Sequence, residues 1–293
     1  MHADVINPLL LQPSAATSDT RRHIARLAIR SLHTELRLHP KPGLVTPLDN
    51  GSHHDMTADT FLRSLFALRH YFRHIAQAGS ESAPFEMLRA LGIAAERTMM
   101  RATGGINTHR GAIFAVGMLS AAIGAANTFS RNRPLHADDI RTILMLLWGP
   151  ALHRHALKSS QARASELFID GARTEAASGF PSVFNIGLPT LRRSLALRRN
   201  WQHACIDTLF ALIAHIDDTN MVHRGGRVGA DEARGLAQQF IDAGATGNAT
   251  WERTAQAIGQ RFVALNLSPG GAADLLAATC LVYWASSADR LLQ

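Results

Sequence analysis

Apolar residues recur along this chain three and four positions apart, and strict alternation is almost absent. That is the period of a helix with one buried face, not of a strand. The stretch Thr20–Leu38 carries Ile24, Leu27, Ala28 and Leu32 in this spacing and stops before Pro40. Thr57–Ala78 carries Phe61, Leu65, Leu68 and Phe72 and stops at Gly79, and Pro84–Arg101 opens with a proline suited to a first helical turn. The same pattern predicts helices at His109–Ala126, Ala137–Leu157 with a bend at Gly149–Pro150, Gln161–Ala177, Leu188–Arg199, Trp201–Met221, Asp231–Ala243, Thr250–Leu265 and Ala272–Leu291. About eleven helices and no strand predict an all-α fold: one globular domain over residues 19–293, after an N-terminal extension, 1–18, whose order the pattern leaves open.

Composition narrows the class. With 46% hydrophobic and 18% charged residues in 293, the chain is neither disordered, collagen-like nor a disulfide-stapled miniprotein. The two cysteines, Cys205 and Cys280, sit in apolar helical surroundings and read as reduced core residues. Met1–Gln12 lacks the basic start of a signal peptide, and Gly111–Ala126 is too short and too rich in Gly and Ala for a membrane span. The expectation is a soluble cytoplasmic protein with no membrane partner. The net charge of +7 asks for an anionic partner. Lys41 and Lys158 are the only lysines, and the arginines are scattered without a basic run. Scattered charge speaks against nucleic acid and leaves nucleotides or phosphorylated small molecules.

Polar residues gather at five joints: Glu35–Asp55, Thr103–Gly111, Gly171–Pro181, Asp217–Gly226 and Asn266–Asp274. The three Gly-Gly pairs, Gly104-Gly105, Gly225-Gly226 and Gly270-Gly271, all lie there. A glycine turn that opens a helix offers free N–H groups to an anion, whereas one that closes a helix is an ordinary C-cap. Glu35, Glu96, Glu175 and Asp274 each continue the apolar stripe of a helix. A carboxylate so placed must be paired, metal-bound or catalytic. Four of them at helix ends predict one shared polar cavity, suited to Mg²⁺ and a polyphosphate. His54-Asp55 with Asp217 or Asp218 leaves an alternative open, an HD-type metal-dependent phosphohydrolase acting on a nucleotide.

As a set, the joints ELRLHPKPGLVTPLDNGSHHDM, AERTMMRATGGINTHRGAIF, GARTEAASGFP, DDTNMVHRGG and NLSPGGAADLLA resemble the triphosphoribosyl-dephospho-coenzyme A synthase family, which makes the prosthetic-group precursor of citrate lyase and malonate decarboxylase. The NGSHHDM run, followed by TFLRSLFALR, is more similar to the malonate decarboxylase branch. Arg110 stands where many relatives have Lys, Thr174 where Gly is usual and Ala272 where Ser is usual. The resemblance implies transfer of the 5-triphosphoribosyl group of ATP to the 2′-hydroxyl of 3′-dephospho-coenzyme A with loss of adenine. It also implies a separate holo-acyl-carrier-protein synthase that uses the product.

On that resemblance, Glu35, Asp55, His109 and Glu175 are the catalytic candidates. Lys41, Gly104, Gly105, Asn107, Thr108, Arg110, Arg173, Arg224, Ser268, Gly270 and Gly271 are candidates to bind phosphates and sugars, and Glu96, Asp218 and Asp274 to hold Mg²⁺. The apolar helical surfaces leave room for a homodimer.

Overall fold

The computed structural model describes residues 18–130, 133–162 and 171–286, and among them are eleven α-helices and no strand. The all-α expectation holds. At the centre is α4 (Arg110–Phe129), which is apolar on every side: Ala112, Ile113, Val116, Leu119, Ile123 and Ala126 are all buried. A helix apolar all round belongs inside a core or a membrane. By length and composition α4 could span a bilayer, but 83% of its most apolar window is buried inside this protein.

Three helices clasp α4. They are α1 (Ser18–Arg37), α2 (Ala58–Ser80) and α11 (Gly270–Ser286), with α3 (Phe85–Ala102) beside α2 and α5 (Ala137–Ala162) along another side of α4. The closest approach is between α2 and α4, where a Cβ on Gly124 would overlap the Ala76 carbonyl oxygen and one on Gly79 would overlap the backbone of Ala121. The short α6 (Gly171–Ala177) packs on α5 and leads through a π-helical turn, Ser182–Gly187, into α7 (Leu188–Ala196). The second half adds α8 (Trp201–His215), α9 (Thr219–Asp242) and α10 (Trp251–Ala264). Phe210 on α8 stacks on Phe240 of α9 with ring centroids 3.9 Å apart. Cys205 and Cys280 are free and buried, as expected.

One expected helix is two. Trp201–Met221 breaks at Ile216, whose backbone is extended, and Asp218 starts α9 as its N-cap by accepting from the Asn220 N–H at 2.8 Å. The apolar period runs on from Ile213 through Ile216 to Met221, so the pattern hides a break that the capping carboxylate makes favourable. Helix α9 therefore starts at Thr219 rather than Asp231, and Gly225-Gly226 is a kink inside it, with Gly226 at φ 67°. Helix α5 runs on through Pro150. The N-terminal extension up to residue 17, positions 163–170 of the expected Gln161–Ala177 helix and the end of the last helix after 286 lie outside the described residues.

The α2–α4 contact sets a test by substitution. Gly124→Val forces the two backbones apart and is expected to cost about 3 kcal/mol in denaturant unfolding. Gly235→Ala, on an open face of α9, is expected to be neutral or to stabilise by up to ~1 kcal/mol. Equal effects at the two positions would show that α4 is not tightly clasped.

Candidate active site

Helix N-termini build the floor of one large cleft, about 1040 Å³, that Glu35, His109, Gly111, Asp218, Gly271 and Asp274 help to line. Each N-terminus carries unpaired N–H groups and a partial positive charge. At α4, Asn107 Oδ1 accepts from the Arg110 N–H at 3.2 Å, and Asp274, near the start of α11, accepts from the Ala112 N–H. At α9 and α11 a single carboxylate serves both: Asp218 accepts from Asn220 N at 2.8 Å and from Ala272 N at 3.0 Å, with Gly271 N also contributing. Thus the anion held at Gly270-Gly271 is the protein's own Asp218. Asp218 takes the Gly271 and Ala272 N–H groups that the sequence offered to a phosphate, while Gly270 and Gly271 both line the cleft.

Packing this tight needs a residue without a side chain. A Cβ at Gly111 would overlap the Asp274 carboxylate, and one at Gly271 would press on Asp218. Gly111 was visible in the sequence as the end of a joint, but its partner lies over 160 positions away, and no local pattern reveals such a pairing.

The acids of the floor repel one another. Burial raises the Asp274 carboxyl well above its ordinary value, and the charges of Glu35 and Asp218 raise it further, against the Ala112 N–H that favours the anion. Burial also raises Asp218, against its three backbone donors and the Asn220 side chain. Glu35, on the stripe of α1 as expected, is buried and paired with Lys41, whose Nζ donates to Glu35 Oε1 at 2.5 Å and to the Glu35 carbonyl at 2.8 Å. Lys41 is itself buried and does not line the cleft, so its expected contact with phosphate is corrected: its charge is spent on Glu35.

Above the floor, His109 Nδ1 and Ser64 Oγ lie 2.7 Å apart, and Phe61 meets the ring edge-on. Burial, then the Lys41 charge, lowers the imidazole to about 3, so His109 is neutral at any physiological pH. Its Nε2 is buried with no hydrogen-bond partner among the described residues, as is Thr108 Oγ1. Both residues line the cleft. Ser64 was missed in the sequence; the signal was a small polar residue on the apolar stripe of α2.

The remaining candidates divide. Ser268 is buried and lies 2.8 Å from His53 Nε2, both at the cleft wall. Arg173 also lines the wall. Arg224 ties two loops together, donating to the Asn266 carbonyl at 2.8 Å, to its side chain at 2.6 Å and to the Ser52 carbonyl, so much of its donor set is used within the protein. Glu175 lines the cleft too, but its carboxylate accepts from Ser182 N at 2.7 Å and Ser182 Oγ at 3.0 Å and holds the π turn; burial raises its pKa. Glu96 and Arg110, expected to serve metal and phosphate, pair with each other at 3.3 Å. Glu96 lines the same cleft as Asp218 and Asp274, but among the described residues the three do not form a metal cage.

Gly104 and Gly105 do not line the cleft. They follow Thr103, the C-cap of α3, and close that helix, with Gly105 N donating to the Met100 carbonyl and positive φ at both. Asp55 is exposed and outside the cleft lining, as is His54, which removes the HD arrangement: the two are not gathered with Asp217 and Asp218. Among the described residues no three His, Cys, Asp or Glu side chains form a metal cage.

A pH-dependent stability follows. A carboxyl raised in the folded state imposes no penalty below its ordinary value of 3.8 and an increasing one as pH rises toward the raised value. Asp274→Asn is therefore expected to melt above the parent near neutral pH, by about 2–4 °C per 1 kcal/mol of relieved repulsion. The gap should close on acidification. A gap that does not vary with pH would contradict the shared-repulsion account.

The family model described as ATP:dephospho-CoA triphosphoribosyl transferase matches residues 21–291. The chain is similar to the "Probable 2-(5''-triphosphoribosyl)-3'-dephosphocoenzyme-A synthase" of Acinetobacter calcoaceticus, 37% identical over 268 residues, covering 89% of this chain and 91% of that one. It is 36% identical over 283 residues to the 2-(5''-triphosphoribosyl)-3'-dephosphocoenzyme-A synthase of Escherichia fergusonii, covering 92% of this chain and 93% of that one. The chain is an enzyme and belongs to the ATP:dephospho-CoA triphosphoribosyl transferase family.

Proposed function

We propose that the enzyme transfers the 5-triphosphoribosyl group of ATP to the 2′-hydroxyl of 3′-dephospho-coenzyme A and releases adenine. The C1′–N9 bond of ATP breaks and a C1′–O2′ bond forms. In net, the hydroxyl proton leaves on adenine. The observation that carries the reading is the acid floor, with Glu35 held by Lys41, inside a cleft of about 1040 Å³. Pockets for single drug-sized ligands span about 300–1,000 Å³, so this cleft is at the upper end, as two nucleotides require.

Displacement at an anomeric carbon develops positive charge on the sugar, and a fixed carboxylate nearby stabilises it. Glu35 supplies that carboxylate, held in place by its ion pair with Lys41. Glu35 is also the group for the hydroxyl proton. Neutral His109 Nε2 and Thr108 Oγ1, both buried and unpaired, orient sugar and base with Asn107. Arg110 and Arg173 face phosphates from the walls.

Asp218 and Asp274 fit Mg²⁺, since their repulsion calls for a cation and this metal takes one or two carboxylates together with phosphate oxygens. When bound, it would offset the charge of the triphosphate. For the pathway, support for the malonate decarboxylase branch is the NGSHHDM wording, and a separate synthase would load the product onto the acyl carrier subunit.

Mass spectrometry after incubation with ATP, Mg²⁺ and dephospho-coenzyme A should show the triphosphoribosyl adduct and free adenine in equal amounts; no adenine would end the reading. Glu35→Gln should lower kcat by about 10²–10³-fold. It also leaves Lys41 buried without its counter-charge, which costs stability. The double variant Glu35→Gln, Lys41→Met should regain Tm but not activity, and recovery of both would make the pair structural only. Asp274→Ala should raise the Mg²⁺ concentration for half-maximal rate at least about tenfold; an unchanged response would remove Asp274 from the cation site.

A further inference from the structure

A second hollow, about 430 Å³, adjoins the cleft and shares Phe85, Arg89, His155 and Arg173 with it. Arg89 on α3, Arg154 on α5 and Arg173 on α6 bring three guanidinium groups to it, against one carboxylate, Glu86. Several arginines elsewhere are matched: Arg133 with Asp139, Arg199 with Asp207, Arg234 with Asp217 and Asp231, Arg261 with Glu232. Among the described residues, Arg89 and Arg154 have neither an ion pair nor a hydrogen bond. Guanidinium forks match phosphate oxygens in shape and charge.

The proposed reaction places two phosphate chains in one cleft, a triphosphate and a diphosphate. The acid floor repels both unless a cation intervenes, whereas the arginine hollow attracts either one without a metal. We infer that this hollow is a metal-independent polyphosphate subsite, in which Arg89 and Arg154 hold the phosphate chain of one nucleotide while its ribose reaches the acid floor. The identity of the nucleotides rests on the proposed reaction; the affinity for a polyphosphate does not.

Calorimetric titration of the full chain with inorganic tripolyphosphate, in excess EDTA, tests the subsite itself. Binding should weaken at least about tenfold in Arg89→Ala, Arg154→Ala and tighten about two- to threefold in Glu86→Gln, with Tm unchanged because all three residues are exposed. A folding defect would not produce the opposite change at Glu86. Equal affinity in the three proteins would overturn the inference. Separate KM values for the double arginine variant then name the chain: a rise for ATP alone assigns the triphosphate, and a rise for dephospho-coenzyme A alone assigns the diphosphate. No rise, or equal rises, would contradict a subsite for one chain. A parent protein that binds tripolyphosphate but makes no adduct would sink the reaction and uphold the subsite.

Discussion

The site depends on how three helix N-termini are satisfied. The starts of α4, α9 and α11 converge, and Asp274 accepts an N–H of the first while Asp218 accepts N–H groups of the other two, with Asn107 capping Arg110. A start left without a partner would expose buried donors, at a cost of about 1–3 kcal/mol each. The acids are thus part of the fold before they are part of any chemistry. Where they sit is dictated by the close passage of α11 past Gly111, which leaves no room for a side chain.

That arrangement builds an electrostatic stress into the cleft. Asp274 is repelled by both Glu35 and Asp218, and one lysine, Lys41, is paired with only one of the three. Helix dipoles offset part of the repulsion. On the proposed reaction, the rest would be relieved by a cationic species, whether a metal ion or a sugar that gains positive charge as its bond to a base breaks. Groups displaced from their ordinary ionisation by burial and like charge are common where proton transfer or charge stabilisation happens. The neutral His109, lowered by burial and by a cation of the same sign as its protonated form, adds a hydrogen-bonding group that keeps its state across physiological pH.

Much of the fold was legible because the helices bury stripes, and stripes have a period. Helix α4 and the position of Glu35 on α1 both follow from spacing alone. The break at Ile216–Asp218 did not, since the apolar period runs through it; Asp218 caps α9 locally and also reaches Ala272, 54 positions away. The same holds for the site. The cleft gathers residues from all five of the joints rich in acids and glycine. Roles of single residues depended on partners that spacing does not reveal: Lys41 turned inward to Glu35, Glu96 paired with Arg110, and Gly104-Gly105 closed a helix rather than opening one.

The central claim is that this acid-floored cleft receives both nucleotides at once. A crystal structure with dephospho-coenzyme A and a non-reacting ATP analogue tests it most directly. The account predicts both riboses over the floor, the anomeric carbon facing Glu35 and the acceptor hydroxyl beside it. Either nucleotide bound outside the cleft, or the two bound only in mutual exclusion, would contradict it.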